Sequence, residues 1–114
     1  MSDCLFCRIV NKEIPASIIH EDDDVLAFRD INPQAPVHFL VVPKRHIESL
    51  AAVVPGDERL LSRLVGAVNQ VAEQEGLTAG GFRVVTNIGR DAGQTVPHLH
   101  FHILGGRSLT WPPG

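Results

Sequence analysis

The chain has 114 residues, 44% of them hydrophobic and 20% charged, with a formal net charge of −3. That length and composition predict one globular domain over residues 1–114, with a core that needs no disulfide staples. The acidic balance excludes broad electrostatic binding to nucleic acid; with no apolar run near the ~20 residues that span a bilayer and no signal-peptide pattern, a cytoplasmic protein without membrane partners is expected.

In Cys4 to Asn11, Leu5, Phe6, Ile9 and Val10 recur at helical spacing, which predicts a short helix. The Cys4-x-x-Cys7 pair within it reads as a metal or redox site, not as a disulfide framework. Ser17 to His20 and Val25 to Phe28 are short β-prone runs joined by the acidic stretch Glu21-Asp22-Asp23-Asp24, a hairpin with a solvated turn. His20 has no motif around it and reads as a surface residue. Val37 to Val42, bounded by Pro36 and Pro43, is a third strand.

The longest helix runs from about Asp57 to Glu75. Leu60, Leu61, Leu64, Val65, Val68, Val71 and Ala72 make its apolar stripe, and Gly76 stands where a helix end prefers glycine. Phe82 to Thr86 and His98 to Leu104 read as two further strands. The order predicts an α+β fold, an antiparallel sheet with the long helix on one face.

In a strand, alternate side chains share a face, so His98, His100 and His102 form a row opposite Leu99, Phe101 and Ile103. Positions i and i+2 lie about 7 Å apart, too far for all three imidazoles to hold one metal comfortably, which favours catalysis. Directly upstream, Asn87-Ile88-Gly89-Arg90-Asp91-Ala92-Gly93-Gln94-Thr95 is a glycine-bearing loop whose backbone N–H groups can approach a phosphate.

His98-Leu99-His100-Phe101-His102-Ile103-Leu104 resembles the His-φ-His-φ-His-φ-φ motif of the histidine triad (HIT) proteins, where φ is apolar. Asp30-Ile31-Asn32-Pro33-Gln34-Ala35-Pro36-Val37-His38, Gly93-Gln94-Thr95-Val96, Gly105-Gly106-Arg107 and Trp111-Pro112-Pro113-Gly114 are similar to the nucleoside phosphoramidase (Hint) branch. The resemblance spans nearly the whole chain. It implies a sheet of about five antiparallel strands, joined in a homodimer into ten, and hydrolysis of adenosine phosphoramidates without a catalytic metal.

The same resemblance implies a role for each matched residue. His100 would attack the α-phosphorus, and a nucleotidyl-histidine would then be hydrolysed by water. His102, Gly93 and Gln94 would stabilise phosphoryl oxygens, with Asn87 beside them. Thr95, where the branch usually has serine, would pass a proton to the leaving group, and His38 would support the site from a neighbouring strand. Asp30 would accept the ribose hydroxyls; taken alone it reads equally as a turn aspartate. Leu5, Phe6, Ile9, Ile14, Phe28 and Ile31 would line the base pocket, though alone they are simply core residues. Trp111, on a proline-rich arm, would cross to the partner's site near the leaving group.

A Cys-x-x-Cys pair supplies half of a tetrahedral site. Similarity to bacterial members that hold zinc implies His46 and His98 as the other two ligands of a structural zinc, with two cysteines simply packed in the first helix as the alternative. The competing functional readings are a dinucleoside polyphosphate hydrolase of the same superfamily and a non-catalytic nucleotide-binding or adaptor module.

Overall fold

The computed structural model describes residues 3–114. Leu5–Val10 forms the short helix α1, with Cys4 as its N-cap: the Cys4 Sγ accepts the Cys7 N–H at 3.4 Å. β1 (Ile18–Glu21) and β2 (Val25–Arg29) make the expected hairpin. Asp22 shapes its turn, because Oδ1 accepts the N–H groups of both Asp24 and Val25 at 2.8 Å. Glu21 lies between Lys12 and Lys44, and Asp24 meets Arg63 at 3.1 Å, so the acidic stretch is a partnered turn.

β3 (Val37–Pro43), α2 (Glu58–Gln74), β4 (Phe82–Val85) and β5 (Phe101–Gly105) follow. The strands form one antiparallel sheet in the order β1-β2-β3-β5-β4. Its two faces read directly from the alternation of side chains. Val25, Ala27, Phe39, Val41, Leu99 and Ile103 meet Leu64, Ala67, Val68, Val71 and Ala72 of α2. Each fully buried Val or Leu contributes about 1.5–3 kcal/mol, so this layer dominates the stability of the fold. Leu26, Phe28, Leu40 and Val42 face the other way and pack against Cys4, Phe6 and Ile9. The sheet therefore has a helix on both faces, α1 covering part of the second.

Gly76 ends α2 with φ 76°, the left-handed conformation that glycine adopts without a Cβ penalty. Just before it, both arms of the Arg29 guanidinium bind the Glu75 carboxylate at 2.7 and 3.1 Å, tying the end of the helix to β2. Val65 departs from the predicted stripe. It is 56% exposed, on the flank of α2 towards β4.

The last strand begins later than predicted. The ladder with β3 runs from Val37↔Gly105 to Val41↔Phe101, and His98, Leu99 and His100 lie before it in a bent segment. The register explains the stop: continued, it would set Leu99 opposite Pro43, which has no N–H to donate. Leu99 N–H binds the Ile47 carbonyl instead, at 2.6 Å. The alternation of faces nevertheless persists, with Leu99 and Ile103 on the α2 side.

Candidate functional site

The histidines gather on the α1 side of the sheet, and backbone groups decide which nitrogen of each ring carries the proton. His98 Nε2 lies 2.8 Å from the Pro43 carbonyl oxygen. A carbonyl only accepts, so Nε2 carries the hydrogen and Nδ1 presents its lone pair. His100 Nδ1 lies 2.6 Å from the His98 carbonyl oxygen. By the same reasoning the neutral His100 ring holds its proton at Nδ1 and presents Nε2 as the lone-pair nitrogen. The Gln34 N–H donates to His38 Nδ1 at 3.1 Å, so His38 carries hydrogen on Nε2 and donates it to His102 Nδ1 at 3.0 Å. His102 is left with an outward donor at Nε2.

Burial pushes His38 below the ordinary histidine range, against the opposing pull of Asp30. His102 is lowered to about 4, first by burial, then by the neighbouring His100 and His38. Both rings are therefore neutral near pH 7, and the contacts of Asp30 Oδ2 with His38 Nε2 at 3.4 Å and His102 Nδ1 at 3.9 Å join a carboxylate to neutral imidazoles. Asp30, His38 and His102 cluster tightly enough to suggest a metal. The Gln34 N–H argues otherwise, since it occupies the His38 Nδ1 lone pair and keeps the proton on Nε2, where a metal would have to bind. This group is a hydrogen-bonded chain running from the Gln34 N–H through His38 to His102.

The sequence-predicted residues fall into several places. His100 and His102 adjoin, with ring centroids 5.0 Å apart. His98 does not continue their row; it turns away, fully buried, towards Cys4 and Cys7. Phe6 stands edge-on to both His98 and His100, at 6.0 and 4.9 Å, and to Phe28 at 5.6 Å. Phe6, Ile9 and Phe28 are buried and Ile14 packs on them, whereas Leu5 is exposed and Ile31 is 99% exposed. The expected base pocket thus divides into a packed floor and two exposed apolar side chains.

Asp30 is the turn aspartate that its sequence allows, Oδ1 accepting the Asn32 N–H at 2.8 Å, and its Oδ2 faces the histidines. Asn87 lines a cavity of about 320 Å3 together with His38 and His102. In the loop before the histidines, Gly93 takes φ 80°, which a β-carbon would strain. Its N–H donates to the Arg90 carbonyl, and the Gln94 N–H to that of Gly89. The Gln94 side chain binds the Gly89 N–H and the carbonyls of Glu48 and Val96. These groups hold the loop in shape, and exposed Thr95 follows them. The C-terminal arm runs beside its own β4, where Arg83 donates to the Thr110 carbonyl and Pro113 lines the cavity; Trp111 is 82% exposed.

Cys4, Cys7, His46 and His98 form a second cluster, their ligand atoms all within 4.8 Å of one another. Cys7 Sγ lies 3.3 Å from His46 Nδ1 and 3.5 Å from His98 Nδ1, and Cys4 Sγ lies 3.4 Å from His98 Nδ1. Two thiols and two imidazoles suit a closed tetrahedral zinc site. His98 fits it further, because Pro43 fixes the ring and leaves Nδ1 as a ligand.

Sequence reasoning missed two contributors. Thr86 Oγ1 donates to the His100 carbonyl at 2.8 Å, and the Gln34 backbone orders His38. A hydroxyl at the end of a strand next to the histidine strand was the available signal for Thr86; a backbone N–H leaves none. His20 is half-buried against Asp22 at 3.1 Å and is not the surface residue its lack of a motif predicts.

A five-stranded antiparallel sheet flanked by helices, with a histidine-rich segment leading into β5 beside the central β3, defines a histidine triad protein. The HIT domain model matches residues 11–109, and the chain belongs to that family. An uncharacterized HIT-like protein of Synechococcus elongatus is 54% identical over 98% of this chain and 97% of its own. A HIT family hydrolase from Legionella pneumophila Philadelphia 1 is 48% identical over 98% of this chain and all of its own, with a TM-score of 0.96. A histidine triad nucleotide-binding protein from Candida albicans is 31% identical over 96% and 83%, with a TM-score of 0.83. No helix among the described residues is long and apolar enough to cross a membrane.

Proposed function

We propose that this protein is a nucleoside phosphoramidase of the Hint type, hydrolysing adenosine phosphoramidates through a covalent nucleotidyl-His100 intermediate. The observation that carries the reading is the 2.6 Å contact between His100 Nδ1 and the His98 carbonyl, which leaves Nε2 as nucleophile. His100 Nε2 attacks the α-phosphorus, the P–N bond breaks, and the amine departs with a proton supplied through Thr95. Water then adds to phosphorus, releasing the nucleotide and restoring His100. His102 donates its ordered Nε2–H to a phosphoryl oxygen, a hydrogen bond that strengthens as charge develops. The Asp30 side chain retains acceptor capacity for ribose hydroxyls, and exposed Ile31 beside it, with Leu5, offers apolar surface for the base.

The same reading includes a structural zinc on Cys4, Cys7, His46 and His98, which suits a reducing compartment such as the cytoplasm. When bound, zinc supplies four bonds that hold α1 to the sheet. It also includes a homodimer joined through β4 into a ten-stranded sheet. β4 is a sheet edge, and Val65, Val68, Val84 and Phe101 line an apolar groove beside it.

The test is turnover of adenosine phosphoramidate by purified protein, with diadenosine polyphosphate in competition. Acid quench should trap a nucleotide on His100, and His100→Ala should lose at least about a hundredfold in rate while still binding nucleotide. A variant retaining more than a hundredth of the rate would remove His100 as nucleophile.

A further inference from the structure

The cavity shared by His38 and His102 sets two arginines beside the histidines. Gln34, Arg83, Asn87 and Arg107 also line it, and no carboxylate does. Asp30 stands behind His38 at 3.4 Å. Arg8, Arg29, Arg45, Arg63 and Arg90 each meet a carboxylate, and Arg59 lines a cavity that Asp23, Asp24 and Asp57 share. Among the described residues Arg83 and Arg107 bind only backbone carbonyls: Arg83 that of Thr110, and Arg107 those of Ser108 and Gln34, at 2.9–3.0 Å. A guanidinium has five N–H donors, so each keeps several in hand. The carbonyl bonds hold the two side chains in place without neutralising them, as in a preformed anion site.

We infer that Arg83 and Arg107 recognise a free carboxylate on the leaving group, so that an acidic amine is preferred over its neutral counterpart. This rests on the phosphoramidase reading above. The volume, about 320 Å3, lies at the small end of ligand pockets (~300–1,000 Å3) and suits a small acidic amine better than a second nucleotide. In the reaction the P–N bond to the acidic amine breaks, its nitrogen takes one proton, and one water is consumed to release the nucleotide. The carboxylate is unchanged throughout; it anchors the leaving amine, whose proton comes through Thr95.

The experiment compares adenosine 5′-phosphoramidates of β-alanine and β-alaninamide, which differ in charge but barely in shape, with full-length protein. Wild type should prefer the acid at least tenfold in kcat/KM at low salt. Added potassium chloride should erode that preference, since exposed charges are screened. Arg83→Gln with Arg107→Gln should bring the ratio close to one, and Arg107→Lys should retain part of it. Should the double variant fail to fold, the wild-type ratio and its salt response decide. Equal turnover of both compounds would overturn the inference and leave the phosphoramidase reading standing. Turnover of neither would overturn both. Faster turnover of ADP or a diadenosine polyphosphate than of the acid would assign the arginines to phosphate and overturn the carboxylate.

Discussion

Thr86 lies one residue beyond β4, and its hydroxyl holds the backbone of the proposed nucleophile. Thr86→Val keeps the shape and removes the donor, leaving the His100 carbonyl short of a partner at a cost of about 1 kcal/mol in stability. We expect kcat to fall about fivefold with KM nearly unchanged; a loss of stability alone, with kcat intact, would make Thr86 merely structural. His102 gives a pH prediction. Its folded value of about 4 lies below the ordinary 6.5, so the unfolded chain takes up a proton first as pH falls. Stability is therefore complete above about pH 6.5 and is lost towards pH 4, at about 1.4 kcal/mol per unit and in total no more than roughly 3 kcal/mol. Burial lowers His38 in the same direction. Urea unfolding across this range should show the slope, and His102→Gln should flatten it.

At the scale of elements, α1 has six residues, too few to persist alone, and one helical turn's worth of apolar side chains to hold it. Phe6 and Ile9 anchor it to the sheet, and the contacts of Cys4 and Cys7 with His46 and His98 add a second attachment at its N-terminus. Metal analysis of untagged protein should find close to one zinc per chain. Cys4→Ser with Cys7→Ser should lose it and lower the melting temperature by roughly 10 °C, because metal affinity is linked to folding. Absence of zinc from protein expressed with zinc available would remove the metal from the account. The loop from Asn87 to Thr95 is the corresponding lesson in reverse. Its glycines read as a phosphate cradle, yet the N–H groups of Gly93 and Gln94 close the loop on itself.

At the scale of the whole molecule, the two edges of the sheet differ. β1 is irregular, with a register shift between Ile18 and His20, and it ends in the charged turn, features that discourage strand addition. β4 instead exposes Val84 beside Val65 of α2, an apolar edge suited to pairing with its own copy about a twofold axis. Val84→Glu with Val65→Glu should yield a monomer by sedimentation velocity at concentrations where wild type is a dimer. A wild-type monomer at tens of micromolar would overturn the ten-stranded assembly.

Periodicity alone determined the α+β class, the hairpin, the long helix and which face of the last strand meets it, since burial enforces the spacing of apolar residues along each element. The resemblance carried by the motifs named the family and drew together residues far apart in the chain. Where the last strand begins was not legible locally, because the stop depends on Pro43, a residue of another strand that lacks the N–H. Strand alternation alone put His98 in one row with His100 and His102, and only the resemblance set it apart; its physical cause is a bent backbone and the Pro43 and Ile47 carbonyls. The proton positions of His38, His98, His100 and His102 rest on backbone groups that every residue possesses. Side-chain sequence therefore says nothing of them, and only the tertiary approach of a carbonyl or N–H to one ring nitrogen decides which of the two can react.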